Sequence, residues 1–440
     1  MKPLAWQRVP SGQTILQMHV HFNSRDSSMH MTTGEVIRRI RKSLGMTQAE
    51  LGAILGYTQP VISQLEHDGA AIHDVRVLRQ IARALHVPLA ILVVESDEEA
   101  DVKRREFFRA GALGAGVTMA AAAGQHAKAA TSVAGSARIG GGEVADINAS
   151  VNQIHELDLL VGGDRLCRVA RNEVHYVEQL LDTGTYTDEV GRALTSAAAE
   201  MMTAAGWVHY DAGQLDQARR YYADAAQAAT AAGDGIAIAH ALGNASSLLT
   251  EWNGGTPAGT SQAVQYAQTG SRAALSHGGP KLRALMAIRE ADALGMQNPS
   301  LNKSAVTDAL SRAHRAYESS QGFDPEWVYL PDALLSGMTG VMHMYLGEHE
   351  AASQQIQAAI DGSGAWPREQ AEWCVQLGRN LVQGGNIAEG CHVLTENFGS
   401  IRQIASTRVH QKLDTVAVTV RPHAKVPEVR EFLGLLAERV

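Results

Sequence analysis

The chain has 440 residues, a formal net charge of −8 and a hydrophobic fraction of 45%. That length exceeds one ordinary domain, so two or more folded units are expected, and the acidic balance excludes a chain whose whole surface serves nucleic acid. The only cysteines, Cys167, Cys374 and Cys391, have neither CxxC spacing nor a His pair at zinc-ligand intervals; this excludes a disulfide framework and reads as buried small side chains in a reducing cytoplasm.

Residues 1–30 carry scattered His, Ser and Asn without lasting periodicity and read as a flexible N-terminal arm. His19, His21 and His30 have no acidic or Cys partners near them, so they are expected to be solvated rather than to bind metal. A first helix is expected near Gly34–Leu44, with Ile37, Ile40 and Leu44 on one side and Arg and Lys on the others. The next stretch, Thr47–Glu66, reads TQAELGAILGYTQPVISQLE. Thr47 and Glu50 stand at capping-box spacing, and Leu51, Ile54 and Leu55 give the helix an apolar side. Gly56 and Tyr57 interrupt it, Thr58 starts a second helix, and Ile62 and Leu65 face inward while Gln59, Ser63 and Gln64 stay outside. A fourth helix after Asp74 has Leu78, Ile81, Ala82 and Leu85 as its inner stripe, and Leu89–Val94 closes the core.

This is the pattern of a helix-turn-helix, and its chemistry suits DNA. A helix fits the major groove, and a glutamine amide offers a donor and an acceptor that match N6 and N7 of adenine. From about Thr33 to Val94 the chain resembles the phage-repressor, or Xre-type, family, on TQAELG, the GYTQ turn and IxxLE in that order. The resemblance implies that Gln48 bonds a phosphate at the groove edge, that Gln59, Pro60, Ser63 and Gln64 face bases, and that Thr47 and Thr58 sit with them at the helix starts. Many relatives carry E-x-G and basic residues next, whereas here His67, Asp68, Gly69, Ala70 and Ala71 follow Glu66. From Gly34 to His86 seven basic residues face five acidic ones, so the positive sign lies where the motif lies.

Residues 96–150 are expected to be a linker. It opens with an acidic spacer and holds KRREFFRAGALGAGVTMAAAAGQ, Lys103–Gln125, in which Arg104, Arg105, Phe107 and Phe108 look like a twin-arginine export signal. Its place behind a folded unit argues for a cytoplasmic linker instead. No run of about 18 strongly apolar residues is present, so no membrane partner is expected.

Residues 151–440 are helical in pattern and internally similar. WVHYDAGQLDQARRYYADAA (Trp207–Ala226), MYLGEHEAASQQIQAAI and LVQGGNIAEGCHVL share a Gly followed five residues on by a small residue: Gly213 with Ala218, Gly347 with Ala352, Gly385 with Gly390. Gly permits a sharp turn between antiparallel helices, and the small residue lets them approach. The segment resembles the tetratricopeptide repeat. With the DNA unit it resembles actinobacterial regulators that join an Xre-type domain to such an array, and it is similar in architecture to peptide-sensing regulators. The expected fold is all-α: a five-helix DNA-binding domain at 31–95, a linker, and a tetratricopeptide-like α-solenoid.

No Gly-rich phosphate loop, HExxH, GxSxG or DxDxDG motif is present, and His209, His240, His314, His343 and His392 stand alone in helical patterns, so neither an enzyme nor a cofactor is expected. The expected function is a DNA-binding transcriptional regulator, working as a homodimer on double-stranded DNA and sensing a peptide, small molecule or protein through the array. An extended effector is expected on the concave side, near Asn244, Arg379 and Asn380, with a helix-to-helix hydrogen bond as the other reading for the two asparagines. The alternative function is a protein-assembly scaffold with an accessory DNA unit.

Overall fold

Thr47 starts a helix because its side chain accepts the amide of Glu50 at 3.2 Å while the Glu50 carboxylate accepts the Thr47 amide at 2.7 Å. Both ends of the capping box close, and the two bonds to Thr47 pull the Glu50 carboxyl below its usual range. The helix stops at Gly56, whose φ of 72° is the left-handed conformation a side chain would strain. One turn earlier Gly52 is required by space, since a Cβ there would lie 2.6 Å from the Tyr57 carbonyl oxygen.

The computed structural model describes residues 32–67, 75–85, 87, 89–92, 138–252, 257–319 and 322–438. The N-terminal arm, Asp74, Asp68–Ala71 and the Lys103–Gln125 segment lie outside them. Among the described residues the protein is all-helical, with no strand and one isolated bridge, Arg138 to Thr185. The N-terminal unit has α1 (Thr33–Ser43), α2 (Gln48–Leu55), α3 (Gln59–Glu66), α4 (Val75–Ala84) and α5 (Leu89–Leu92). Ile37, Ile40, Leu51, Ile62, Leu65, Ile81 and Leu85 fill its core. Ile54, expected inward, is 60% exposed, and Leu44 is 49% exposed. The short α2 turns only Leu51 and Gly52 fully inward.

The C-terminal helices are α6 (Gly141–Val161), α7 (Cys167–Thr183), α8 (Asp188–Asp211), α9 (Leu215–Ala232), α10 (Gly235–Trp252), α11 (Pro257–His277), α12 (Pro280–Gln297), α13 (Pro299–Tyr317), α14 (Asp332–Tyr345), α15 (His349–Gly362), α16 (Pro367–Gln383), α17 (Ile387–Glu396), α18 (Phe398–Arg402), α19 (Thr407–Val420) and α20 (Pro427–Ala437). Helix α6 begins within the stretch the sequence assigned to the linker. The Gly-plus-five signatures fall at the α8–α9, α14–α15 and α16–α17 turns. Gly213, Gly347 and Gly385 all have positive φ there, and Ala218, Ala352 and Gly390 are buried.

Helices α8, α10, α12, α14 and α16 form an inner layer in which each packs on the next, while α9, α11, α13, α15 and α17 pack outside them. The inner layer does not stay open. Helix α19 packs on both α16 and α8, and α6 packs on α8 and α16, so the row of helices closes into a ring. The closure is polar. The Ser406 hydroxyl donates to Asp211 at 2.8 Å, Arg408 meets the same carboxylate at 3.1 Å, and Arg368 meets Asp158 at 3.1 Å.

The two regions share one apolar core, which runs from α1–α5 into α6, α7 and α8. A small unit gains from this, because five short helices alone bury little apolar surface. Arg39 donates to the Leu160 carbonyl at 3.3 Å and Arg165 to the Ile91 carbonyl at 3.3 Å, so each region also ties the other's backbone.

Candidate DNA-binding face and a chamber in the array

In the N-terminal unit, Glu66 is buried at the end of α3 and accepts both Nε and a terminal nitrogen of Arg41, the latter at 2.9 Å. A second terminal nitrogen of Arg41 reaches the Met46 carbonyl. The Gln48 amide nitrogen donates to Glu66 at 2.8 Å, and the Gln59 amide nitrogen donates to the Gln48 oxygen at 2.5 Å. A chain of bonds thus runs from a buried ion pair out to two glutamines on the starts of α2 and α3. Each glutamine keeps hydrogen-bonding capacity for a nucleic acid, and neither has to be ordered from a free rotor.

Thr47, Thr58, Gln59, Pro60 and Gln64 are exposed, and Gln48 and Ser63 are half-buried. The arrangement brings the sequence-predicted set to one end of the α2–α3 pair. Thr58 is the N-cap residue of α3, but its hydroxyl makes no capping bond. Arg39 and Arg41, counted above toward the local positive charge, are buried and engaged internally, so the cationic surface of α1 rests on Arg38 and Lys42.

In the array the ring surrounds a chamber of about 690 Å³ that opens to solvent. Helix α6 contributes Asn152, His155 and Asp158 at three-residue intervals, and α8 contributes Trp207. His240 and Asn244 enter from α10, Arg289 and Asp292 from α12, and Tyr345 from α14. Helix α16 presents Glu369, Glu372, Gln376 and Arg379, one stripe spaced by three or four residues. Helix α19 adds Arg408 and Lys412. The segment before α14 lays Trp327 against His240, the rings stacked with centroids 4.3 Å apart, and Asn152 donates to Glu326 at 3.0 Å.

The ionic groups on the α16–α19 side are paired. Lys412 meets Glu251 at 2.9 Å and Glu372 at 2.8 Å, and Arg408 meets Glu372 at 3.1 Å. Burial alone would raise the Glu372 carboxyl, but Arg408 and Lys412 hold it well below the usual range. Arg289, Arg368 and Arg408 all lie within 6 Å of the Trp207 ring centroid, at 5.8, 5.9 and 5.5 Å, and the Trp207 indole donates to Asp158 at 2.9 Å. His155 is pushed down to about 3 by burial and by nearby His240, so its ring is neutral.

The three residues expected to contact an effector part ways. Asn244 and Arg379 line the chamber. Asn380 does not reach it: it is fully buried, donates to the His349 carbonyl and the Ser353 hydroxyl at 2.9 Å each, and pairs with the His349 ring through its oxygen. One helix position separates Asn380 from Arg379, and that turn of about 100° points it at α15 instead. The inner face of the array, where an effector was expected, is bounded on its far side by α19, which packs on α8. Sequence reading missed Arg289, Asp292 and the α16 stripe. A signal existed in ALMAIREADALGM and WPREQAEWCVQLGRN, where charges recur at helical spacing among Ala, Leu and Trp.

Among the described residues no helix is long and apolar enough to cross a membrane, and no group of three or more His, Cys, Asp or Glu is placed to hold a metal ion. Cys167, Cys374 and Cys391 are free and buried. No curated protein matches the chain. Residues 37–92 match the family model described as Helix-turn-helix, so the chain carries an Xre-type helix-turn-helix domain ahead of a run of packed helices.

Proposed function

We propose that the protein is a cytoplasmic, sequence-specific DNA-binding regulator without enzymatic activity, whose tetratricopeptide-like array senses an effector in the chamber and joins two copies on symmetric DNA. The actinobacterial two-part regulators it resembles have this layout. The carrying observation is the glutamine pair fixed to the buried Arg41–Glu66 pair at one end of α2 and α3, within residues that match a helix-turn-helix. Pre-ordered amides suit base readout, where a well-placed bidentate contact discriminates by about 1 to 3 kcal/mol.

Shared elements support coupling to the array. In the last turn of α6, Asp158 faces the chamber and Leu160 accepts Arg39 of α1. Trp366, just before α16, lines both the chamber and the cleft between α1 and the array. Anything that shifts this corner shifts the seat of the DNA unit. A dimer follows from the small footprint of one unit, since two copies double the contact set. Leu301 and Phe323, 82% and 79% exposed, provide apolar surface on the array.

Selection of bound fragments from random DNA by the full chain tests the reading, and a two-fold symmetric site is expected. Gln59→Ala or Gln64→Ala then weakens that site by about 1 to 3 kcal/mol and leaves random DNA unaffected, whereas Gln48→Ala weakens both. Equal loss on random DNA would refute base readout.

A further inference from the structure

We propose that the chamber binds a small amphipathic acid: its anion held by Arg289 and Arg379, an adjacent amine or hydroxyl by Asp292, and its apolar body against α14. This rests on the effector reading above and names the effector's chemical class.

The charges divide the chamber into two halves. Of its cationic side chains, Arg368, Arg408 and Lys412 all meet carboxylates within 4 Å. Arg289 and Arg379 meet none among the described residues. Arg289 lies over the Trp207 ring, and its Nε is buried without a hydrogen-bond partner. Arg379 makes a long hydrogen bond, 3.4 Å to the Gln376 oxygen, and also meets the Tyr345 side chain, whose ring centroid lies 6.0 Å away. A guanidinium offers five donors, so both retain most of theirs for an anion.

Asp292 stands one helical turn beyond Arg289 on the same face of α12. It too forms no ion pair among the described residues, and burial lifts its carboxyl to about 6 despite the Arg289 and Arg379 charges. The whole lining carries seven carboxylates and five Arg or Lys cations, but on this side two guanidiniums without a carboxylate partner stand beside the single carboxylate of Asp292, a local positive surplus that suits an anion. The carboxylate calls for a donor next to that anion. Unpaired ionic groups in a partly buried wall are costly to keep for stability alone and mark a binding site.

Across the same space α14 presents Leu334, Met338, Val341 and Met342, an apolar wall in which the methionines adapt to an irregular partner. About 690 Å³ is the volume of a small-molecule site.

Isothermal titration of the full-length protein with 3-hydroxydecanoate, decanoate and methyl 3-hydroxydecanoate tests the assignment. The hydroxy acid is expected to bind tightest, with its uncharged ester weaker by roughly tenfold or more, as befits loss of a charge-assisted contact. Arg289→Gln and Arg379→Gln should each weaken the acid by a similar factor and leave the ester unchanged, with melting curves confirming the fold. Asp292→Ala should erase the preference for hydroxydecanoate over decanoate. An ester that binds as well as the acid, folded Gln variants that bind it unchanged, or no binding of any probe would overturn the class. Val341→Trp, which fills the chamber, separates the two readings. If it abolishes the operator response in cells while the acids fail, the site stands and the class falls; a normal response would overturn the effector site itself.

Discussion

The DNA-binding unit and the array both bury ionic groups, but to different ends. In the first, Arg41 and Glu66 satisfy each other and pass that order outward to Gln48 and Gln59. In the second, Arg408 and Lys412 hold several carboxylates at a ring closure while Arg289, Asp292 and Arg379 form no ion pairs among the described residues. Buried pairs contribute little net stability compared with apolar packing, yet they cost much when one partner is lost. The contrast therefore separates charges that hold elements in place from charges that meet no partner charge among the described residues, and substitutions can test where that line falls.

The largest effect is expected at the ring closure. Arg408→Ala removes the cation shared by Asp211 and Glu372, leaving Ser406 on the first and Lys412 on the second, and should destabilise the array by about 3 to 5 kcal/mol in denaturant unfolding. A loss below about 1 kcal/mol would mean that the ring is held by packing alone. Next is Glu66→Gln, which removes the charge facing Arg41 and should cost the DNA unit about 2 to 3 kcal/mol, read as faster hydrogen exchange in α1–α3. It should also weaken operator binding, because Gln48 loses its anchor.

Smaller still is the difference between two asparagines. Asn380→Ala breaks the bonds to His349 and Ser353 and should lower stability by about 1 to 3 kcal/mol without altering effector response. Asn244→Ala should do the reverse, since Asn244 lines the chamber and has no hydrogen-bond partner among the described residues. Matching phenotypes for the two would erase the distinction between scaffold and chamber.

The smallest effect is one of pH. Burial, with the Asp211 charge beside it, lifts the Asp164 carboxyl to about 7 in the folded chain. Unfolded, it ionises near the ordinary value of about 4. Between those values the folded state binds the proton more tightly, so this group's contribution falls as pH rises from about 4 to 7. Asp164→Asn, which mimics the neutral form, should become more stable relative to the parent by about 1 kcal/mol between pH 6 and pH 7. An unchanged difference would place the ionised carboxylate in the native state at both pH values.

Much of the N-terminal unit was legible because its signals are local. A capping box spans four residues, Gly56 needs only its own φ, and the Ile and Leu spacing of α1 and α3 reports one face. Ile54 was misplaced inward for a related reason: helical spacing gives the direction of a side chain but not whether a neighbouring helix covers it. In the array the Gly213, Gly347 and Gly385 turns were legible on the same terms.

The sequence by itself determined the helix-turn-helix of α2 and α3, the general helical character of the array and its turns at Gly213, Gly347 and Gly385, since each depends on residues within a few positions of one another. The tertiary structure decided that the array closes into a ring, that Asn380 bonds to α15 while Arg379 faces the chamber, and that Arg289 and Asp292 form no ion pair among the described residues. The latch between Asp211 and Arg408 joins residues 197 positions apart. No local pattern encodes such a contact, because which charges meet depends on the accumulated rotation of every helix pair between them.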